Sequence, residues 1–256
     1  MSEKINRVAI VGAGITGLVT AWKLQKFSVE VDVFERKAEP GGAIKTVKED
    51  NWQVEYGPNT LLLKDRMVAE FITELGLSGE KKTANPEAGK RFVVKNGLLE
   101  PLPSSLKSAV TTPLFSIGGK LRVLAEPFVP KNSDRDQTVA EFVERRLGKE
   151  MLEYAINPFV AGIYANRPEY LSLRHAFPMM DDLEQEYGSL IWGTVAGSKK
   201  RKERGRIERE LISFEKGMQQ LPLTIARQLN SIYLNHEVRS VKEQDGKWSV
   251  ESSLGK

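Results

Sequence analysis

The sequence predicts an α/β fold: a Rossmann-like nucleotide-binding domain carrying a mainly helical insertion and part of a second sheet. Three observations point there. Residues 8–36 read as strand, glycine-rich turn, helix, strand and acid. Residues 91–103 read as a hairpin, followed by helical segments, and strand signals return after residue 206. Taken in order, Val8 to Val11 is an apolar run expected to be a strand buried on both faces. Gly12, Gly14 and Gly17 follow at GxGxxG spacing, with Ala13, Ile15 and Thr16 between them. Gly12 suits a tight turn, Gly14 the approach of backbone to a pyrophosphate, and Gly17 the packing of helix on strand. The pyrophosphate would rest on the N–H groups that open the helix, Leu18 to Leu24. A second strand, Val29 to Phe34, ends on Glu35, placed where a carboxylate can accept hydrogen bonds from a ribose. A lone GxGxxG could be ordinary turns; the whole succession reads as a dinucleotide site.

Composition bounds the function. The 256 residues are 40% hydrophobic and 28% charged, enough for one or two domains with a core. The net charge of +4 suits an anionic cofactor, an acidic substrate or an anionic membrane surface, and is too small to argue for nucleic acid. With no cysteine, disulfides, thiol catalysis and cysteine metal sites are excluded. His175 and His236 are too few for a histidine-rich metal site. The N-terminus lacks a signal-peptide layout and no stretch of about 20 apolar residues exists, so a cytoplasmic protein is expected. Peripheral attachment to the cytoplasmic membrane is left open.

After Glu35, Arg36 to Gly42 reads RKAEPGG, and Val47 to Tyr56 reads as a hairpin ending at EYGPNT. In isolation Gly41-Gly42 would be a plain turn. Directly after the ribose acid, it resembles the R-x-x-x-x-G-G segment of glutathione-reductase-like flavoproteins of the amine oxidase type. That resemblance implies FAD rather than NAD. Residues 66–76 form an amphipathic helix ended by Gly76, and Asn96-Gly97 marks the turn of the 91–103 hairpin. From Pro103 to about Pro130 there are helical pieces but no clean long helix. With Lys107, Lys120 and Arg122, this stretch suits a bilayer surface or a buried helical subdomain equally. Thr138 to Glu141 is a capping box opening a helix with Val139, Phe142, Val143 and Leu147 on one face, ended by Gly148. A second helix is expected over roughly Glu150–Ala161. The basic run from Lys199 to Arg206 reads as a solvated loop, residues 212–229 turn into a helix, and residues 231–252 read as two strands around Asp245-Gly246.

Several stretches together resemble the protoporphyrinogen oxidase family: EYGPNTLL (55–62), RFVVKNGLLEPLP (91–103), SIGGKLR (116–122), NPFVAGIYANRPEYLSLRHAFP (157–178), LEQEYGSLIWG (183–193) and SFEKGMQQLP (213–222). The 157–178 segment is the most selective. The resemblance implies that Gly12 to Gly17 hold the pyrophosphate of FAD, that Glu35 and Arg36 lie at the ribose side, and that Gly42 and Ala43 approach the flavin. It places Gly57, Pro58, Asn59 and Thr60 against the ring and the backbone of Val238 at the adenine. Arg91 would pair with a substrate propionate, as guanidinium binds carboxylate bidentately. Gly162 and Ile163 would line the substrate cavity, although packing alone could ask for a glycine there.

The reaction implied is oxidation of protoporphyrinogen IX to protoporphyrin IX, six electrons in three steps, with molecular oxygen as acceptor and hydrogen peroxide as product. No nucleophile, triad or metal cluster is evident, and no side chain is assigned as a general base. Coproporphyrinogen III is the alternative substrate. Amine or carotene oxidation, non-catalytic FAD or porphyrin binding, and NAD-dependent dehydrogenation are the rivals. The expected domains are an FAD-binding domain in two parts, 1–82 and 207–256, the start of a substrate-binding domain at 83–104, and a helical domain at 105–206, for which a membrane-facing role stays open. A homodimer is left open. Family members run substantially beyond Lys256, so a fragment with little activity of its own and exposed strand edges is expected.

Overall fold

The computed structural model describes residues 7–85, 89–132, 136–203, 210–244 and 246–253. The chain forms two compact units, Met1–Ala84 with Ile207–Lys256, and Asn85–Arg206. The first segment runs β1 (Arg7–Val11), α1 (Ile15–Lys26), β2 (Glu30–Phe34), β3 (Thr46–Glu49), β4 (Trp52–Glu55), β5 (Leu61–Leu63), α2 (Arg66–Glu74) and β6 (Lys81–Thr83). The second unit runs β7 (Phe92–Lys95), β8 (Leu98–Pro101), α3 (Leu106–Thr111), α4 (Ile117–Leu124), α5 (Val139–Leu147), α6 (Lys149–Met151), α7 (Asn157–Tyr164), α8 (Leu173–Ala176), α9 (Pro178–Tyr187) and α10 (Leu190–Glu203). The last segment adds β9 (Glu210–Phe214), α11 (Gln220–Arg227), β10 (Ile232–Tyr233), β11 (Val238–Gln244) and β12 (Lys247–Ser252).

In the first unit, β1, β2 and β10 form a parallel sheet in that order, with Arg7 opposite Glu30 and Ile232 opposite Val33. Parallel neighbours need a crossover, and α1 supplies it between β1 and β2. The two chain segments share one core. Leu18, Ala21 and Trp22 of α1 pack with Leu221, Ile225 and Ala226 of α11, and with Ile72, Leu75 and Phe214. Trp22 keeps its indole N–H satisfied by Gln228 Oε1 at 2.8 Å and meets Phe71 edge-on at 5.0 Å. β9 sits between β5 and β6 in an antiparallel sheet, so the returning segment is stitched to the first by backbone as well.

Two expectations need correction in this unit. The strand at 8–11 is present but is not buried on both faces: Arg7, Ala9 and Val11 are exposed. Among the described residues β1 is an edge strand with one neighbour, so only Val8 and Ile10 turn toward packing. Residues 231–252 hold three strands rather than two, because Ile232-Tyr233 joins β2 as a parallel edge. Of the hairpin turn after β11, Gly246 has φ +74°, while Asp245 lies outside the described residues.

In the second unit, the β7–β8 hairpin turns on Asn96 and Gly97, both at positive φ (+53° and +78°), the geometry that Asn-Gly favours. Thr138 caps α5 as read from the sequence: its hydroxyl accepts the Glu141 N–H, while the Glu141 carboxylate accepts the Thr138 N–H at 2.8 Å. Val139, Phe142 and Val143 then pack with Leu152 and Leu173, and a second cluster joins Val93, Leu114 and Phe115. The helix expected over 150–161 is interrupted: a π turn, Leu152–Ile156, separates α6 from α7. Pro158 gives the physical cause, since it has no N–H to donate and its ring crowds the carbonyl four residues earlier. The basic run also departs from expectation, since α10 extends through Glu203 and 199–203 is helix rather than loop. Lys, Arg and Glu are good helix formers, so the helix begun at Leu190 continues through them. Residues 204–206 lie outside the described residues.

Candidate cofactor and substrate sites

The three glycines of the first loop behave differently, each for a local reason. Gly12 has φ +97° and donates its N–H to Phe34 O at 2.7 Å, folding the chain back over the end of β2. At Gly17 an added Cβ would stand 2.2 Å from Gly12 O, so helix and turn touch there through backbone. At Gly14 an added Cβ would meet nothing within 4 Å, and φ is −72°, so neither strain nor packing demands a glycine. The open space lies in front of the first N–H groups of α1, which no side chain caps. A diphosphate would fit there, accepting those N–H groups.

The second glycine pair is built onto the first loop. Gly41 has φ +126° and donates its N–H to Ala13 O at 2.8 Å; a bridge joins Gly14 to Gly41. An added Cβ on Gly42 would sit 3.1 Å from Gly14 Cα. Ala43 in turn receives the EYGPNT loop, because a Cβ on Gly57 would stand 2.0 Å from Ala43 O. Three glycine-bearing stretches separated in sequence thus stack backbone on backbone, leaving Ala43, Pro58, Asn59 and Thr60 exposed.

Glu35 is buried (7% exposed), yet it is a structural hub as well as an acid. Its Oε2 accepts the Ala13 N–H at 2.8 Å and its Oε1 accepts the Lys37 N–H at 2.9 Å. Each oxygen retains acceptor capacity for a ribose hydroxyl. Glu35 O accepts the His236 N–H at 2.8 Å, which carries the returning chain past the acid two residues before Val238. Val238 itself is half-buried and opens β11 opposite Ser252. Ile15 is half-buried, and Thr16 and Arg36 are exposed.

The second unit holds a separate cavity of about 780 Å³. Its walls include Phe92, Phe115, Met151, Ile156, Phe159 and Phe177, and Lys90, Arg91 and Ser104 supply its polar lining. Arg91 is held at the mouth of the hairpin, where its carbonyl accepts the Leu102 N–H at 2.8 Å. Its guanidinium lies 6.0 Å from the Phe159 ring centre, a cation–π distance. The volume is that of a small-molecule site. Gly162 and Ile163 are not among the lining residues: both are exposed, one turn beyond Phe159 on α7, past the cavity's end. No packing fixes a glycine at 162, where a Cβ would meet nothing within 4 Å.

The sequence did not announce the cavity. Met151 and Phe159 follow an apolar stripe that reads as core, and only the fold brings them together with the hairpin residues Arg91 and Phe92 around one cavity. Among the described residues there is no cluster of three potential metal ligands, and no helix is long and apolar enough to cross a membrane.

The profile of the family described as flavin containing amine oxidoreductase matches residues 15–255. The chain belongs to that family, and FAD is the flavin its glycine cradle and Glu35 fit. Within the family its similarity is to porphyrinogen oxidases. It is 33% identical over 268 residues to protoporphyrinogen oxidase 2, chloroplastic/mitochondrial, of Arabidopsis thaliana, covering 95% of this chain and 53% of that protein. It is 30% identical over 279 residues to coproporphyrinogen III oxidase of Bacillus subtilis (strain 168), covering 100% and 58%. A crystal structure from Exiguobacterium sp. 255-15, provisionally assigned as a protoporphyrinogen oxidase, superposes with a TM-score of 0.77 at 25% identity, over 100% of this chain and 57% of that one. Putrescine oxidase shares the fold, with a TM-score of 0.66 at 19% identity over 98% of this chain and 55% of that one. The chain spans about half the length of the curated relatives it matches.

Proposed function

We propose that this chain forms the FAD cradle and part of the substrate cavity of an oxygen-dependent protoporphyrinogen IX oxidase. The observation that carries the reading is the cavity walled by aromatic and aliphatic side chains with Arg91 at its mouth. A porphyrinogen is a large apolar macrocycle with propionates, and such a cavity offers walls to one and a guanidinium to the other. When bound, FAD supplies the redox chemistry, accepting two electrons in each of three steps and returning them to oxygen as hydrogen peroxide. The protein's part is to hold the cofactor with the Gly12–Gly17 loop and Glu35, to exclude water with the apolar walls, and to orient the macrocycle through Arg91. Coproporphyrinogen III is the second reading, supported by the relatives of that name in Bacillus subtilis and Staphylococcus aureus.

Absorbance of the purified chain, alone and extended to the length of its relatives, tests the cofactor. Aerobic fluorescence assays with both porphyrinogens test the reaction. Flavin with porphyrin formation is expected for the extended form; absence of flavin there would sink the FAD reading, and flavin with amine turnover alone would replace the substrate. Arg91→Ala should raise KM for the porphyrinogen about tenfold, the equivalent of about 1.4 kcal/mol, with flavin content unchanged. An unaltered KM removes Arg91 from the site.

We also infer a peripheral contact between the second unit and a bilayer. On α4, Ile117, Leu121 and Leu124 form one stripe, 78%, 60% and 69% exposed, and Phe128 beyond it is 87% exposed. Lys107 stands on the neighbouring α3. Sedimentation with anionic vesicles should fall sharply in an Ile117→Asp, Leu121→Asp double variant. Equal sedimentation of variant and parent would refute the contact.

A further inference from the structure

The stretch SFEKGMQQLP (213–222) returns from far along the chain and lands on the β3–β4 hairpin, whose two ends lead into Ala43 and Gly57. At Gly217, with φ +90°, an added Cβ would stand 2.3 Å from Thr46 Cγ2 and 2.7 Å from Glu55 Oε1, so the turn approaches both strands closely. Met218 donates its N–H to Glu55 Oε1 at 3.0 Å, and Gln219 donates its N–H to Thr46 Oγ1 at 3.0 Å. The Thr46 hydroxyl in turn donates to Glu55 Oε2 at 2.7 Å. The side chain of Gln219 is buried and reaches further. Its Oε1 accepts the Thr46 N–H at 3.0 Å, and its Nε2 donates to Glu39 Oε2 at 3.3 Å. The Thr46 N–H can only donate and the Glu39 carboxylate only accept, so an amide suits this place and a carboxylate does not.

We propose that Gln219 is a positioning residue for the cofactor, acting through Glu39 and Thr46 to hold Gly42 and Ala43 in place for FAD. The inference rests on the FAD reading of the glycine stack and deepens it. Glu39 and Thr46 bracket the segment that carries Gly41, Gly42 and Ala43. The glycine pair has no side chains by which it could be held, and both glycines stand at positive φ, +126° and +63°. Its position is therefore set by its backbone contacts with the first loop and by its flanks, and one buried amide ties the two flanks together. Gln219 and Gly42 also line one cavity of about 240 Å³. Pro222, three residues after Gln219, would meet a Cβ on Gly41 at 3.4 Å, so the same stretch backs the glycine pair directly. Each of these contacts joins residues more than 160 positions apart, which gives the returning segment a task in shaping the flavin side of the cradle.

Titration of the chain extended to the length of its relatives with FAD, followed by flavin fluorescence and by visible circular dichroism of the bound flavin, tests this. Gln219→Glu keeps the acceptor for Thr46 but sets a second carboxylate against Glu39. It should weaken FAD binding about tenfold, the scale of one charge-assisted hydrogen bond, and alter the dichroism of the flavin that still binds. Glu39→Gln alone should bind FAD like the parent, since its amide oxygen can still accept from Gln219. The double variant, Gln219→Glu with Glu39→Gln, restores a donor facing an acceptor with the roles exchanged. It should recover the parent's affinity and dichroism, a rescue that loss of packing alone would not give. If Gln219→Glu binds FAD like the parent with the same dichroism, or if the double variant fails to recover, whether by misfolding or by weak binding, Gln219 does not position the cradle while the FAD reading stands. If the extended parent binds no FAD, that reading falls and this inference with it.

Discussion

Arg146→Met should destabilise the second unit by about 3–5 kcal/mol, the usual cost of removing one partner from a buried ion pair. Arg146, Glu126 and Glu184 are all fully buried. Arg146 donates to Glu126 Oε1 at 2.6 Å, to Glu184 Oε1 at 2.8 and 2.9 Å, and to Gly188 O at 2.7 Å. Glu126 also accepts from the Ser189 hydroxyl and from the Leu190 and Ile191 N–H groups. Glu184 accepts from the Asn132 N–H and from Arg145. One guanidinium thus ties α5 to α9, to the start of α10 and to the turn before α5. Without it, Glu126 is left buried with no cation beside it and Glu184 keeps only Arg145.

The same cluster fixes the pH dependence. Burial pushes both glutamates up, but for Glu126 the bonds from Ser189, Leu190, Ile191 and Arg146 outweigh it, and the net shift is down. For Glu184 burial is likewise outweighed, by Asn132, Arg146 and Arg145. A carboxylate lowered in the folded state contributes stability above its unfolded pKa and loses it as pH falls through the folded value. The parent should therefore weaken as pH drops below about 4, the ordinary range for glutamate. In Arg146→Met, Glu126 loses its cation and Glu184 keeps only Arg145, so protonation relieves Glu126 above all and the deficit relative to the parent should shrink on acidification. Urea unfolding followed by helical circular dichroism at pH 7 and at about pH 3, below the ordinary glutamate range, measures both effects. A deficit under about 1 kcal/mol, in the range of exposed pairs, would show that the cluster does not hold this unit together.

Gly14→Ala and Gly17→Ala should fail in opposite ways. At Gly14 the new methyl group meets open space at an ordinary φ, so the protein should fold as stably as the parent or slightly more so. Its affinity for FAD should fall by at least about tenfold, or 1.4 kcal/mol, if the diphosphate reaches the start of α1 through that space, as proposed. At Gly17 the methyl group would stand 2.2 Å from Gly12 O, so the fold itself must shift, at about 1–3 kcal/mol for overpacking. Thermal unfolding and flavin titration separate the two. If Gly14→Ala binds FAD like the parent, the diphosphate does not lie against that residue.

Cofactor chemistry was legible because its determinants are local. The turn at Gly12, the free face at Gly14, the close packing at Gly17 and the acid after β2 lie within one βαβ stretch, where spacing fixes geometry. The capping box at Thr138 and the Asn96-Gly97 turn were readable for the same reason. Each is a pattern whose partners lie three or four residues apart.

Only the tertiary structure decided the rest. The resemblance places Gly42 and Gly57 near the flavin, but only the backbone contacts with Ala13, Gly14 and Ala43 show that Gly41, Gly42 and Gly57 form one stack. The basic run after Lys199 reads as a solvated loop, but a helix begun upstream carries its first part along. Pro158 converts an expected continuous helix into a π turn, and so turns an apolar stripe into the cavity wall facing Arg91. Arg146 and Glu184 look like surface charges on amphipathic helices until packing brings them to Glu126 and excludes water. In the glycine stack and in the charge cluster the partner lies far away in sequence. Burial, which sets the strength of a charge and the meaning of an apolar side chain, is a property of that meeting and not of spacing.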